Sequence, residues 1–549
     1  MRSNHGMVLA LLARLAVSTP SCVPLIGIEK DGDGTATLNL DDMRVSLELE
    51  VFDFNNAVVP ALVACSSGWF GGKLLCGLET SVAMRTLLAI QSSSWSVASA
   101  FQPAPVLNIF GDRQTSDERR RCYPDTPESI ELFSLHYKVA ALYVLAHAAL
   151  KAMPFCHAEI DPLMLGLDHP MSFMEEGKDA SIDTSTPWGL AQAYVDEVWD
   201  YLTANDGWNA DGSMGGREFN RVPFSGDFSM TDSEGNSWTP YVPRNSPYEF
   251  TDIKKWQPLE ESDGLGSVTT QDHVTPHIGS TGRYFGFASK EDEEAFSART
   301  IDRPDYLNRY NDVVHDVLDE SAMTADSPCK QVAISFFDDK VNSLIPLSVD
   351  YFLRNTTQAE YTTTEFLQLS LEIQLALYNG VLLTWKEKIH HDRPRPSTMI
   401  KHKLGDELVE AYAESGEGVQ TMKASQWEPF MRTKPTSEYP SVSACLCELF
   451  ARQVENFLGD DKIEPPLQFP PGPPPPGFDE PPLVFSSWSE ISQVCGDSRV
   501  WGGVNFAEPF QREPSCAEAW TWPCQSTTRL SASKPGTRVR PSSRQTSAS

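Results

Sequence analysis

Apolar residues recur at three- and four-residue intervals through much of the centre of this 549-residue chain, a spacing that predicts helices. Ser81 to Phe101 and Ser134 to Met153 mix small and apolar side chains in this way and read as long buried helices. Pro187 follows Thr186 and suits a first helical position. Trp188, Ala191, Val195, Val198 and Leu202 then form one face before Asn205-Asp206-Gly207 stops the helix. A further helix is expected to begin near Pro304. From Glu365 to Lys386 the signal is mixed. Leu367, Leu369, Leu371, Ile373, Leu375 and Leu377 alternate with other residues as in a strand. Length, a Leu/Gln/Glu/Ala composition and a capping-box spacing from Thr362 to Glu365 decide for a helix. A last helix is predicted from about Ser443 to Leu458, ended by Gly459. The fold class is therefore all-α, a helical bundle with long irregular loops, chiefly between Gly207 and Gly286 where Gly, Pro, Ser and Trp concentrate.

Three regions follow from shifts in composition. Residues 1–45 form an N-terminal segment in which an apolar run from Met7 to Val17, interrupted by Arg14, is read as a weak secretion signal. The Asp31-Gly32-Asp33-Gly34 run lacks the EF-hand residues at its fifth and sixth positions, held by Thr35 and Ala36, so it reads as a Gly-rich turn before a short strand, Ala36 to Leu40. Residues 46–510 form the helical domain, with a Pro-rich extended insertion at 464–482 in which ten of the eighteen residues from Pro465 to Pro482 are proline. Residues 511–549 turn Ser- and Arg-rich and read as a disordered tail.

A net charge of −31 repels nucleic acid and anionic membranes, which excludes both as partners. No stretch reaches the roughly 18 apolar residues that span a bilayer, so the chain is expected to be soluble, with the compartment, intracellular or secreted, left open. The eleven cysteines are odd in number and scattered through a chain too large to need staples, and they read as free buried thiols.

Against this acidic background, Lys386 to Lys403 carries six positive side chains and two acidic ones. Within it stands Lys386-x6-Arg393-Pro394. Pro440-Ser441-Val442-Ser443 follows, and then Ser498-Arg499 with Asn505 six residues after the arginine. Fixed cations are what a buried tetrahedral anion needs once water no longer solvates it. Ser441, just before the Ser443 helix, adds a hydroxyl and a helix N-terminus.

The ordered set resembles the vanadium-dependent haloperoxidases and their relatives, the type 2 phosphatidic acid phosphatases. Met84 to Pro103, Trp256 to Leu259 with Pro276-His277-Ile278-Gly279, and Leu375 to Pro394 resemble the soluble haloperoxidase-like branch as well, so the likeness covers roughly residues 50 to 510. The resemblance implies a helical-bundle fold and a vanadate cofactor, with phosphate as its substitute. Lys386, Arg393, Ser441, Val442 and Arg499 would line that oxyanion. Peroxide and halide would be the small partners, and the chain would self-associate as a homo-oligomer.

Two departures stand in the motifs. The family's second segment ends in His where this chain has Ser443, and the third ends in His where it has Asn505. Those are the acid–base residue and the axial ligand or nucleophile, so halide oxidation is expected to be impaired. Loss of a general acid–base typically costs roughly 10²- to 10⁴-fold. Val442 replaces the family glycine. Of the remaining histidines, His390 and His391 read as solvated loop residues and His277 as structural. A non-catalytic oxyanion-binding or structural relative is the alternative, and a soluble phosphatase comes last because its nucleophile would be missing. Three clustered cations with nothing between them would repel one another, which is why anion binding is expected.

Overall fold

The computed structural model describes residues 80–100, parts of 140–151, 187–203, 241–338 and 343–351 with short breaks, 363–469 except 414–416, and 483–507. The Asp-Gly turn and strand near Ala36, the N-terminal segment, residues 470–482 of the insertion and the tail lie outside them.

Ten α-helices of defined extent and three small hairpins stand among the described residues, with further helical residues within 140–151. In chain order the helices are α1 (Thr80–Ala100), α2 (Pro187–Thr203), α3 (Ile278–Thr281), α4 (Lys290–Ser297), α5 (Tyr310–Ala325), α6 (Pro328–Phe336), α7 (Thr363–His391), α8 (Pro396–Leu404), α9 (Val442–Leu458) and α10 (Trp488–Trp501). The antiparallel hairpins pair β1 (Glu260–Ser262) with β2 (Val268–Thr270), β3 (Leu408–Tyr412) with β4 (Val419–Lys423), and β5 (Lys462–Phe469) with β6 (Leu483–Ser487). The fold is all-α in character, with the hairpins as ornaments.

The 29-residue α7 is its axis, packed against α1, α3 and α9. Its alternating Leu367 to Leu377 are all buried, because neighbours cover several faces of the helix and no single stripe is selected. The helix ends at Asp392, whose φ of 52° closes the last turn through an N–H donated to Lys388 O at 2.7 Å. Pro394 and Pro396 then forbid continuation, and Pro396 opens α8 as its first residue.

Helix α9 begins with Ser441 as its cap, the hydroxyl accepting from Ala444 N, and ends at Gly459 in the left-handed region (φ 76°). Helix α10 carries Arg499 and was not expected from periodicity. Its Ser-, Val- and Gly-containing stretch has low helix propensity, and tight packing on α9 holds it. A capping box marks its start: Ser487 accepts from Glu490 N while the Glu490 carboxylate accepts from Ser486 N at 2.8 Å.

Three further expectations change. The helix near Pro304 starts as a 3₁₀ turn over Asp305–Asn308 before α5. The stretch up to Gly286 is not all loop, since it holds β1, β2 and α3. Cys447 and Cys495 form a disulfide joining α9 to α10, which corrects the reading of buried thiols; Cys445 and Cys329 lie outside that bridge. The described start of the Pro-rich insertion belongs to β5, whose ladder shifts register between Lys462 and Leu467, where Pro465 and Pro466 offer no N–H.

Candidate functional site

The sequence contains Lys-x6-Arg-Pro twice, as Lys386–Arg393–Pro394 and as Lys388–Arg395–Pro396. Two residues along a helix turn it by about 200°, so the two lysines leave α7 on opposite sides. The fold brings the second pair, not the first, to Arg499. Lys386 Nζ donates to Ser297 O at 2.7 Å and to Arg299 O, which ties it to the end of α4. Arg393 is half-exposed and donates to Lys254 O at 3.2 Å. Lys388, Arg395 and Arg499 are 1%, 5% and 3% exposed respectively. They interact electrostatically in sequence, Lys388 with Arg395 and Arg395 with Arg499.

Burial lowers all three, and repulsion from Arg395 adds to this for Lys388 and Arg499. Lys388 falls well below the usual lysine range, burial first and Arg395 second, against the opposing effect of Glu438. Arg395 and Arg499 are each brought down to about 10, chiefly by burial.

Each cation is also partnered within the chain. Lys388 Nζ donates to Ser437 O at 2.6 Å and Glu438 O at 3.2 Å. Arg395 donates from Nε to Thr436 O, from Nη2 to Thr436 Oγ1, and from Nη1 to Val504 O, the last at 2.9 Å. Arg499 leans on Ser498 Oγ and Ile334 O and lies 3.6 Å from the Asp338 carboxylate.

Ser441 and Ser443 are buried at the start of α9, whose Cys445 interacts electrostatically with Lys388, so this helix end lies near that lysine. Val442 is the first residue of α9 and partly buried in the core. It is not among the positive-φ residues, so the backbone here does not demand glycine.

Asn505 is buried and bridges two charges. Its Oδ1 accepts from Arg395 Nη1 at 3.5 Å, while its Nδ2 donates to Glu438 Oε1 at 2.9 Å and to Glu438 O at 3.0 Å. The sequence reading passed over Glu438, whose carboxylate is buried and also accepts from Phe506 N at 3.1 Å and from the Tyr306 hydroxyl.

One histidine does lie beside the cluster, and it was not among the candidates. His273 is fully buried between Tyr241 and Trp256, with ring centroids 5.1 and 5.3 Å away. Its Nε2 accepts from Ser437 N at 3.2 Å, which places the proton on Nδ1, 3.1 Å from Val274 O. Burial, with Lys388 and Arg395 adding, pushes its pKa down to about 3, so the ring is neutral with both nitrogens engaged. His391 is buried against Ile301 O and Glu387. His390 is exposed, and His277 lies outside the described residues.

Residues 368–515 match the family model of the second helical-bundle domain of VCPO. Among solved structures, the chain is similar to an apo-type bacterial vanadium-dependent chloroperoxidase (TM-score 0.62, 19% identity, covering 83% of this chain and 96% of that one). The holo-type bacterial enzyme gives 0.61 and 19%, over 84% and 93%. The chain has the fold of these vanadium-dependent chloroperoxidases. A bacterial vanadium-dependent iodoperoxidase is also similar, at a TM-score of 0.52 and 13% identity over 87% and 95% of the two chains. Comparison with curated proteins finds no match.

On this haloperoxidase-like fold the fit to vanadate is partial. The buried cations match the charge of an oxyanion, but the Asn505 amide nitrogen has no lone pair to give and already donates to Glu438. Among the described residues no cluster of His, Cys, Asp and Glu could hold a metal ion, and no helix is long and apolar enough to cross a membrane.

Proposed function

We propose that this protein is a haloperoxidase-like oxyanion-binding protein whose pocket takes phosphate or vanadate and in which peroxide-driven halide oxidation is impaired. The observation that carries the reading is the convergence of Lys388, Arg395 and Arg499, from α7, the α7–α8 turn and α10, at the capped start of α9. Those groups supply charge and directional donors for a four-oxygen guest. Among the described residues, no imidazole with a free nitrogen stands beside them. Ser443 is a hydroxyl, Asn505 an amide, and the neutral His273 is held at both nitrogens.

The test is bromide and iodide oxidation by the purified chain with orthovanadate and peroxide, beside a Ser443→His, Asn505→His double variant. The wild type is expected to show little or no turnover while its Tm rises with phosphate or orthovanadate. Robust wild-type turnover would overturn the impaired-site reading. A Tm indifferent to both anions would overturn the pocket.

A further inference from the structure

The cations of the pocket are not without a negative charge among them. The Glu438 carboxylate is buried and accepts from three donors, the Tyr306 hydroxyl, Asn505 Nδ2 and Phe506 N. It attracts both Lys388 and Arg395. Asn505 joins it to Arg395 by donating with one end of its amide and accepting with the other. The peptide of Glu438 is pinned as well, its N–H on Arg393 O at 2.9 Å and its C=O taking Lys388 Nζ and Asn505 Nδ2. A carboxylate so fixed satisfies the cations without a guest and repels a second anion.

We propose that Glu438 is the resident anion of this pocket and competes with an incoming tetrahedral oxyanion for Lys388 and Arg395. The proposal rests on the oxyanion-pocket reading and gives that pocket a specificity-determining residue. It also places a new role on Asn505, a neutral spacer between guanidinium and carboxylate.

Titration of the full chain with inorganic phosphate and with orthovanadate, by calorimetry and by Tm, tests it on the wild type and on Glu438→Gln. Glutamine keeps the shape and an acceptor while removing the charge. Two charges roughly 5 Å apart in a partly screened interior repel enough to change affinity by about 10- to 100-fold, so Glu438→Gln is expected to bind that much more tightly. Equal or weaker binding by the variant, with the wild type binding, overturns the role of Glu438 and leaves the pocket standing. Binding by the variant alone supports Glu438 as competitor and overturns wild-type binding. Silence from both proteins overturns both readings. Should Glu438→Gln fail to fold alone, either phosphate or an added Lys388→Met must restore folding, since each repairs the unbalanced charge. Failure of both rescues overturns the proposal.

Discussion

The reading of Ser443 and Asn505 as standing where the resemblance expects two imidazoles comes from the sequence, because each sits at a defined offset from Pro440-Ser441 and Ser498-Arg499. What surrounds them was not. Neither His273 nor Glu438 belongs to a motif, and both reach the cations through folds of chain that bring residues 273 and 438 against α7. Asp392, which ends α7, is a residue whose titration has a consequence for the whole fold. Burial raises its carboxyl to about 6, although the Tyr241 hydroxyl, 2.8 Å away, and Lys255 favour the charged form. The folded chain therefore holds this proton more tightly than the unfolded chain, where the pKa is about 4. The resulting stability is complete below pH about 4 and is lost as pH rises through about 6, in all of the order of 3 kcal/mol. Denaturant unfolding between pH 4 and 8 should show this fall in the wild type. Asp392→Asn, which also tolerates the left-handed φ, should flatten it.

At the scale of elements, α1, α2 and α9 were read from periodicity and the short α4, α6 and α8 were not, whereas α7 and α10 were obscured for opposite reasons. Burial on several sides hides the period of α7, and weak propensity hides α10. Neither could spacing alone choose between two overlapping Lys-x6-Arg-Pro registers, because the choice depends on which side of α7 meets the 436–438 segment. The close approach of α3 to α7 had a visible trace, Gly279. A Cβ there would lie 2.6 Å from Lys386 Cα and nearer still to its backbone nitrogen. Because the obstacle is main chain rather than a flexible side chain, Gly279→Ala must separate the two helices. A loss of about 1–3 kcal/mol is expected in urea unfolding. A neutral variant would show that α3 is free to move away from α7.

For the whole molecule, the acidic surface implied by a net charge of −31 encloses a buried basic centre, so overall charge predicts little about what the interior binds. The site is assembled from residues more than a hundred positions apart, Lys388 to Arg499, which explains why an ordered series of motifs hinted at it and composition did not. The Cys447–Cys495 bridge closes this part of the molecule into a covalent ring, and the Pro-rich 470–482 stretch falls inside it. Proteolysis in that stretch should therefore yield a nicked protein that migrates as one species on a non-reducing gel and as two pieces after thiol treatment. Until the sulfurs part, the piece bearing Arg499 stays tethered to the piece bearing Ser441, and the cut chain keeps both halves of its pocket on one molecule.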